Sequence, residues 1–222
     1  GGKTKALIMD ALFRTLKYPG TTAVGFRRTF AELEDTEIKE AMSSYPESIA
    51  KYNAGRHEFK LVNGSKILFR HCEHEEDRFR YSGIEIQFLY FDELTSFEQT
   101  IYDFIKTRLR AKKSLGVVPI VRSASNPGNI GHGWVKARFI TPAPPGTRMV
   151  QMVKARAPDG REIVQRRTRI FIPSTVFDNA ALLENDPGYL GTLAALPEAE
   201  KKALLYGDWD SFSQIFQCPG MR

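Results

Sequence analysis

The sequence predicts an α/β protein with a mostly parallel β-sheet flanked by helices. Short apolar runs alternate with stretches of helical periodicity between residues 3 and 125. The runs are too short for helices and too continuous for half-exposed strands, as expected of strands buried on both faces. Polar or charged residues follow each run, which places their side chains at the edge where parallel strands end.

Length and composition are those of an ordinary globular protein. The 222 residues are 42% hydrophobic and 26% charged, which excludes a wholly disordered chain and allows one large domain or a domain with an appendage. No apolar run approaches the roughly 18 residues that span a bilayer, so no membrane partner is expected. Cys72 and Cys218 suggest no disulfide framework and favour a reducing cytoplasm.

The amino-terminal half predicts a helix, a strand, a helix and a hairpin in that order. Apolar residues recur at helical spacing from Lys3 until Pro19, and the β-branched run 21–26 follows as a buried strand. Residues 30–45 have acidic residues early, as the start of a helix favours. Asn63-Gly64 lies between two alternating segments and predicts a hairpin.

The next segment predicts a central strand, a helix and another strand. Residues 86–91, IQFLYF, form a continuous apolar run, and residues 96–113 restore helical periodicity with basic residues at their end. Residues 116–125 form a strand that Pro119 places near an edge of the sheet. We expect a core of residues 1–175, with a hairpin at Asp159-Gly160, and a small C-terminal helical lid or linker of residues 176–222.

The chain begins with GGKT, the last four letters of the phosphate-binding pattern G-x-x-x-x-G-K-[ST]. In that pattern backbone N–H groups surround phosphates, the lysine reaches them, and the hydroxyl serves Mg²⁺. Gly1, Gly2, Lys3 and Thr4 are therefore candidate nucleotide-binding residues. The match by itself is weak, because four letters recur by chance.

An acidic pair, Asp92-Glu93, follows the predicted central strand. Nucleotide hydrolysis needs one carboxylate to hold Mg²⁺ and a second group to orient or deprotonate water. Successive side chains point different ways along a strand, so the pair suits both tasks. The competing interpretation is that both residues cap the following helix.

Asn126 lies in SASNPGN, where the next predicted strand ends. That edge also faces the nucleotide in sheets of this kind, so Asn126 is a candidate contact of the γ-phosphate or the attacking water. The alternative is a plain Asn-Pro turn.

Taken in order, six segments resemble the ATPase domain of phage and prophage terminase large subunits. They are GGKT, GFRRTFAEL, NGSKILFRHC, YSGIEIQFLYFDELTSF, SASNPGNIGHGWVKARFI and NDPGYLGTLAALPEAEKKALLYGDWD, and they span nearly the whole chain. The first and fourth contain generic Walker A and Walker B elements, whereas the Asn-Pro segment and the closing YGDWD are more selective.

The resemblance implies a RecA-like P-loop NTPase of the ASCE class that pumps double-stranded DNA into a procapsid. Lys3 would contact the β- and γ-phosphates of ATP, Thr4 and Asp92 would serve Mg²⁺, and Glu93 would be catalytic. Asn126, with its neighbours, would couple hydrolysis to movement. The expected partners are a portal protein, a small terminase subunit and further copies in a homo-oligomeric ring, in the host cytoplasm and transiently at the procapsid portal.

The family also has an upstream strand and first P-loop glycine, and a nuclease domain beyond YGDWD. Neither lies within these 222 residues. We therefore expect the chain alone to hydrolyse ATP weakly or not at all, and we assign no nuclease site.

An arginine finger is harder to assign. Terminases often have an arginine where this sequence has Ser82, so Arg80 is the candidate, and Arg78, Arg27 and Arg28 are alternatives. Local acids offer these side chains ordinary ion pairs instead.

Two other patterns each allow two interpretations. His71, Cys72 and His74 are possible zinc ligands, but no second pair completes a tetrahedral set, so a loop is favoured. Basic groups in KTRLRAKK, VKARF and REIVQRRTR are possible DNA phosphate contacts or a solvated surface. The functional alternatives are another P-loop translocase, such as a helicase, and a basic DNA-binding module whose nucleotide site has decayed.

Overall fold

The structure, a computed structural model, describes residues 2–212. The chain forms two compact units, Gly1–Gly131 (unit 1) and His132–Arg222 (unit 2). In the part of the chain that is described, no helix is both long and apolar enough to cross a membrane. The division between the units precedes the boundary expected after residue 175, and the assignment of a core and a lid remains a prediction.

Unit 1 contains a six-stranded sheet. Its strands are β1 (Thr22–Arg27), β2 (Ala50–Asn53), β3 (Glu58–Leu61), β4 (Lys66–His71), β5 (Phe88–Phe91) and β6 (Ile120–Ser123). They lie in the order β2-β3-β4-β1-β5-β6. Strands β4, β1, β5 and β6 are parallel, whereas β2 and β3 are antiparallel additions at one edge. The mostly parallel sheet predicted from the sequence is confirmed.

Helices cover both faces of this sheet. They are α1 (Lys3–Lys17), the helical segment α2, and α3 (Gln99–Lys106). Segment α2 consists of an α-helical turn (Phe30–Glu32), a π-helical stretch (Leu33–Ile38) and an α-helix (Lys39–Ser44). Short 3-10 helices occupy Glu75–Tyr81, Leu94–Ser96 and Lys113–Leu115.

Alternation along the central strands divides the apolar residues between the two faces. Ala23 of β1 and Phe88 and Tyr90 of β5 join one core with α1 and α2, to which α1 contributes Ile8 and Leu12. All five are at most 4% exposed. Burial on this scale explains why the strands are apolar without interruption.

Aromatic packing dominates the opposite face. The ring of Phe91 contacts the rings of Phe26, Phe97 and Tyr102 at centroid distances of 5.5, 5.2 and 5.3 Å. Ile101 of α3 is fully buried on the same helix as Tyr102. These contacts fix α3 against the end of β5, immediately before the acidic pair.

The predicted hairpin at Asn63-Gly64 connects β3 and β4. Gly64 has φ 81°, a left-handed conformation that favours glycine. The Asn63 side-chain amide donates to the carbonyl oxygens of Thr15 (2.9 Å) and Leu16 (3.1 Å) in the last turn of α1. The turn thus satisfies carbonyls that a helix end leaves unpaired.

Unit 2 combines a hairpin with short helices. Helix α4 (His132–Val135) continues as a π-helical stretch (Lys136–Ile140), and strands β7 (Met149–Arg156) and β8 (Glu162–Arg169) form a separate antiparallel sheet. A 3-10 helix (Val176–Asp178) and helices α5 (Ala180–Asn185), α6 (Tyr189–Ala194) and α7 (Glu198–Tyr206) follow. The hairpin at Asp159-Gly160 matches the sequence prediction, and the segment expected to be helical after residue 175 contains these short helices.

Some elements differ from expectation. Strand β2 was not predicted, because four residues beside a turn-rich segment carry little periodicity. Helix α3 ends at Lys106, well before residue 113, and the chain turns back so that Leu109 bridges to Ile86 beside β5. This bridge competes with further helix for the same backbone groups.

Ile101→Ala should destabilise unit 1 by about 2–5 kcal/mol, because it leaves a cavity between α3 and the sheet. Ile130→Ala is the matched control: Ile130 is 63% exposed, whereas Ile101 is 0% exposed. Urea denaturation should show a lower midpoint for the first variant alone. Equal midpoints for the two variants would contradict this packing.

Candidate functional site

The candidate site lies in unit 1, where α1 begins and three parallel strands end. Lys3 and Thr4 are the first residues of α1, and Arg27 is the last residue of β1. Asp92-Glu93 directly follows β5, and Asn126 lies shortly after β6. Because β1, β5 and β6 are parallel neighbours, their ends meet at one edge of the sheet.

Thr4 and Asp92 are in direct contact although 88 residues separate them. The Thr4 hydroxyl donates to Asp92 Oδ2 at 2.7 Å, and Arg27 Nη1 donates to the same oxygen in an ion pair. The Asp92 side chain is 1% exposed, so these donors replace its hydration. A hydroxyl beside a carboxylate is a donor set that suits Mg²⁺.

Lys3 reaches across to the loop after β6. Its Nζ donates to Asn126 Oδ1 and, at 3.4 Å, to the carbonyl oxygen of Ser125. Burial lowers the pKa of Lys3, while the negative charges of Glu93 and Asp92 oppose that effect. A partly buried ammonium group is chemically suited to an anionic ligand.

Glu93 has a raised pKa, first because it is buried and second because Asp92 is negative. Lys3 and Arg27 act in the opposite direction, as does a hydrogen bond from the backbone N–H of Asn126. Its backbone is left-handed, with φ 50° and ψ 57°. Such conformations cost energy in a non-glycine residue and recur at functional sites.

The loop with Asn126 is tied to the turn after Glu93. Ser125 Oγ accepts from the backbone N–H of Thr95 at 3.0 Å, and the Thr95 hydroxyl donates to the carbonyl oxygen of Asn126 at 3.0 Å. Leu94 N–H also donates to the carbonyl oxygen of Ala124 at 3.0 Å. Movement of either segment therefore affects the other.

The start of α1 suits an anion. Gly2 has φ 83°, the 15-residue helix has no acidic residue in its first turn, and its first N–H groups are available to a ligand. Gly1, also a predicted nucleotide-binding residue, lies outside the described residues.

Glu37 is a site-adjacent residue that the sequence analysis missed. It is 4% exposed, and burial, reinforced by the charge of Asp92 and opposed by Arg27, raises its pKa to about 8. A Cβ on Gly25 of β1 would lie 3.1 Å from Glu37 Oε2, so only glycine leaves room for the carboxyl. The available signal was its spacing: Glu37 lies four residues from both Leu33 and Ala41, which are buried.

Arg80 does not join this cluster in the described structure. It forms an ion pair with Asp77 at 3.0 Å, and its side chain is 64% exposed. Arg27, one of the alternatives, does reach the site, through Asp92. Arg28 instead forms an ion pair with Glu98.

The possible zinc ligands have other surroundings. The His71 ring packs against Phe30 at a centroid distance of 5.7 Å, and the Cys72 thiol is buried 3.6 Å from the carbonyl oxygen of His74. Across residues 2–212, no three His, Cys, Asp or Glu side chains are placed to hold a metal ion together.

Fold and site together define a nucleotide-hydrolysing α/β domain of the P-loop class. The family model for the terminase large subunit, T4likevirus-type, N-terminal, matches residues 1–217. The chain belongs to this family. It is the ATPase domain of a viral DNA-packaging motor.

Solved structures show the same fold at low sequence identity. The large terminase of a thermophilic bacteriophage is 12% identical with a TM-score of 0.63, over 93% of this chain and 44% of that one. A structure of that large terminase in complex with ADP gives the same values. The Thermus phage P74-26 large terminase ATPase domain is 14% identical with a TM-score of 0.56, over 94% of this chain and 84% of that one. No curated protein matches by sequence.

Glu37→Gln should flatten the pH dependence of stability. The folded carboxyl binds its proton more tightly than the unfolded one, whose pKa is 4.5, so the parent loses stability as pH rises from 4.5 to about 8. The glutamine variant lacks this proton, and urea denaturation at several pH values should show a smaller fall.

The control is Glu34→Gln, at an exposed position of the same π-helical stretch. It should retain the pH dependence of the parent. Identical pH profiles for the parent and both variants would show that Glu37 does not titrate differently in the folded state.

Proposed function

We propose that this domain hydrolyses ATP to translocate double-stranded DNA into a procapsid, with the cluster around Asp92 as its active site. The observation that carries the assignment is the convergence of Lys3, Thr4, Asp92, Glu93 and Asn126. These residues come from three distant segments and are connected by hydrogen bonds and charge interactions. The helicase and decayed-site alternatives are not favoured by the family match.

Lys3 and the start of α1 bind the substrate phosphates. The Lys3 ammonium exchanges Asn126 for the β- and γ-phosphates, and N–H groups at the helix start donate to the same anion. Gly2 allows close approach, because a left-handed residue without Cβ leaves the phosphates unobstructed. Gly1 is assigned to the same loop.

Thr4 and Asp92 are proposed to hold Mg²⁺, which would neutralise charge developing on the phosphoryl oxygens when bound. Arg27, at the end of β1, donates to Asp92 and holds the carboxylate in place.

Glu93 is the proposed base that orients and deprotonates the attacking water. Its raised pKa favours proton acceptance near neutral pH more than an ordinary carboxylate would. Glu93 has a left-handed backbone and a raised pKa, whereas Asp92 is bound by Thr4 and Arg27, so the two carboxyls are assigned different tasks.

Asn126 is proposed to couple turnover to movement. In the described structure it binds Lys3 through its side chain and Glu93 through its backbone. Loss of the γ-phosphate would change the contacts of Lys3 and Glu93. The hydrogen bonds of Thr95 to Ser125 and Asn126 would transmit that change between the turn after β5 and the loop after β6.

The remaining assignments rest on family membership. A ring of identical subunits, a portal protein and a small terminase subunit are the proposed partners, at the procapsid portal in the host cytoplasm. Arg80 is proposed as the arginine finger of a neighbouring subunit. Its exposure supports action in trans, since its guanidinium is accessible apart from the Asp77 contact.

Glu93→Gln in the full-length large subunit should bind ATP with unchanged affinity and lose nearly all turnover, because glutamine keeps the shape of the side chain without its basicity. Nucleotide affinity is measured with a fluorescent analogue and turnover by phosphate release. Glu76→Gln, at an exposed position of unit 1, should retain both. Turnover that survives in Glu93→Gln would remove the residue from the catalytic role.

Arg80→Ala should reduce the kcat of ring-dependent ATP hydrolysis by about 10³-fold or more with little effect on nucleotide affinity. Lys39→Ala, the loss of another exposed cation, is the control. Mixing Arg80→Ala with Glu93→Gln subunits should restore part of the turnover, because one supplies the finger and the other the base. Unchanged turnover in Arg80→Ala would exclude it as the finger.

A further inference from the structure

The hairpin of unit 2 carries almost all of the net charge of the chain. Residues 148–169, the basic ribbon, contain seven Lys or Arg and two Asp or Glu, an excess of five within a whole-chain excess of six. The other 200 residues are thus close to electrical neutrality. Repulsion among these positive charges within 22 residues opposes folding, so the stability of the fold does not explain why the basic residues are there.

The ribbon is exposed along its length. Strands β7 and β8 pair with each other alone in the described sheets, and most of their residues are exposed, including Val150 (50%) and Met152 (56%). A two-stranded hairpin by itself is marginally stable. Packing against a core therefore does not account for its basic residues.

Most of this positive charge is not neutralised locally. The two carboxylates are both engaged, Glu162 by Lys154 at 3.0 Å and Asp159 by Arg161 at 3.8 Å. Four further guanidinium groups have no hydrogen-bond or ion-pair partner within residues 2–212: those of the exposed Arg148, Arg156 and Arg166, and that of Arg169, whose Nε is buried.

The register places some of these cations on one face. Arg156 lies opposite Glu162, and Arg166 lies opposite Met152, so Arg156, Arg166 and Lys154 share a face of the ribbon by alternation. Arg167 and Arg169 share the other face. Each strand has eight residues and extends about 27 Å at roughly 3.4 Å per residue, which spans many phosphates of duplex DNA.

The other basic segments singled out in the sequence are more engaged. Arg110 pairs with Glu85 at 3.7 Å, Arg108 donates to the carbonyl oxygen of Ser82 at 2.6 Å, and Lys136 pairs with Asp210 at 2.6 Å. Local contacts account for the positions of these basic side chains, whereas the unpaired arginines of the basic ribbon have no such partners.

We propose that the basic ribbon contacts the phosphate backbone of double-stranded DNA, without reading its sequence. This proposal rests on the proposed function, in which the domain moves DNA, and it identifies a surface that would contact the DNA. Major grooves admit two-stranded ribbons, and unpaired guanidinium groups bind phosphate bidentately. An acidic protein partner is the competing occupant, and the test distinguishes the two.

The test measures DNA binding by the full-length large subunit. The ribbon variant is Arg148→Gln, Arg156→Gln and Arg166→Gln together. The control variant, Lys51→Gln, Lys60→Gln and Lys66→Gln, removes equal charge from exposed positions of β2, β3 and β4. Fluorescence anisotropy follows a labelled duplex of about 30 base pairs and arbitrary sequence from about 50 to 200 mM salt. Circular dichroism and thermal melting verify that both variants fold.

The ribbon variant should bind DNA at least about tenfold more weakly at about 100 mM salt. Its slope of log affinity against log salt should fall by about 2–3, since each lost phosphate contact removes roughly 0.9. The control variant should retain the slope of the parent. Equal slopes in the two variants would overturn the proposal, as would an unchanged DNA slope accompanied by lost binding to poly-L-glutamate.

Nucleotide turnover without DNA separates this proposal from the proposed function. The ribbon variant should hydrolyse ATP at the parent rate when DNA is absent, because its three arginines lie outside the nucleotide cluster. Turnover that survives in Glu93→Gln would contradict the assigned active site and leave the ribbon result standing. Normal DNA binding by the ribbon variant would contradict this surface alone.

Discussion

The structure of the site depends on the balance between its buried carboxyl groups and its cationic side chains. Asp92, Glu93 and Glu37 bring three carboxyls to one region, and Lys3 and Arg27 bring two cations. Charges out of water persist only when paired or neutralised by protonation. Asp92 is paired, by Arg27 and Thr4, while the raised pKa values of Glu93 and Glu37 reflect the remaining imbalance. An added phosphate or cation would change this balance of charge.

The parallel pairing of the strands determines where these charged side chains meet. Strands β1, β5 and β6 deliver Arg27, Asp92 and the loop of Asn126 to a common edge, and the packing of α1 on the same sheet brings Lys3 there. The aromatic contacts of Phe91 hold the end of β5 against α3. The site thus lies directly on this core, and its two loops are connected to each other through Thr95.

The two units divide the chemistry. Unit 1 holds the candidate nucleotide cluster, and unit 2 holds the basic ribbon, whose two carboxylates neutralise only part of its positive charge. The proposed sites of hydrolysis and of DNA contact then lie in different units, so a substitution can be directed at either one alone.

The sequence alone determined the parallel α/β class, the hairpin at Asn63-Gly64 and the candidates Lys3, Thr4, Asp92, Glu93 and Asn126, because periodicity, turn chemistry and strand ends are local properties. Tertiary structure alone decided that Thr4 contacts Asp92, that Arg27 pairs with it, and that Glu37 is buried beside them. It also decided the short β2 and the early end of α3. Side-chain neighbours across 65 to 123 residues depend on packing and on the desolvation it imposes, which no local pattern encodes.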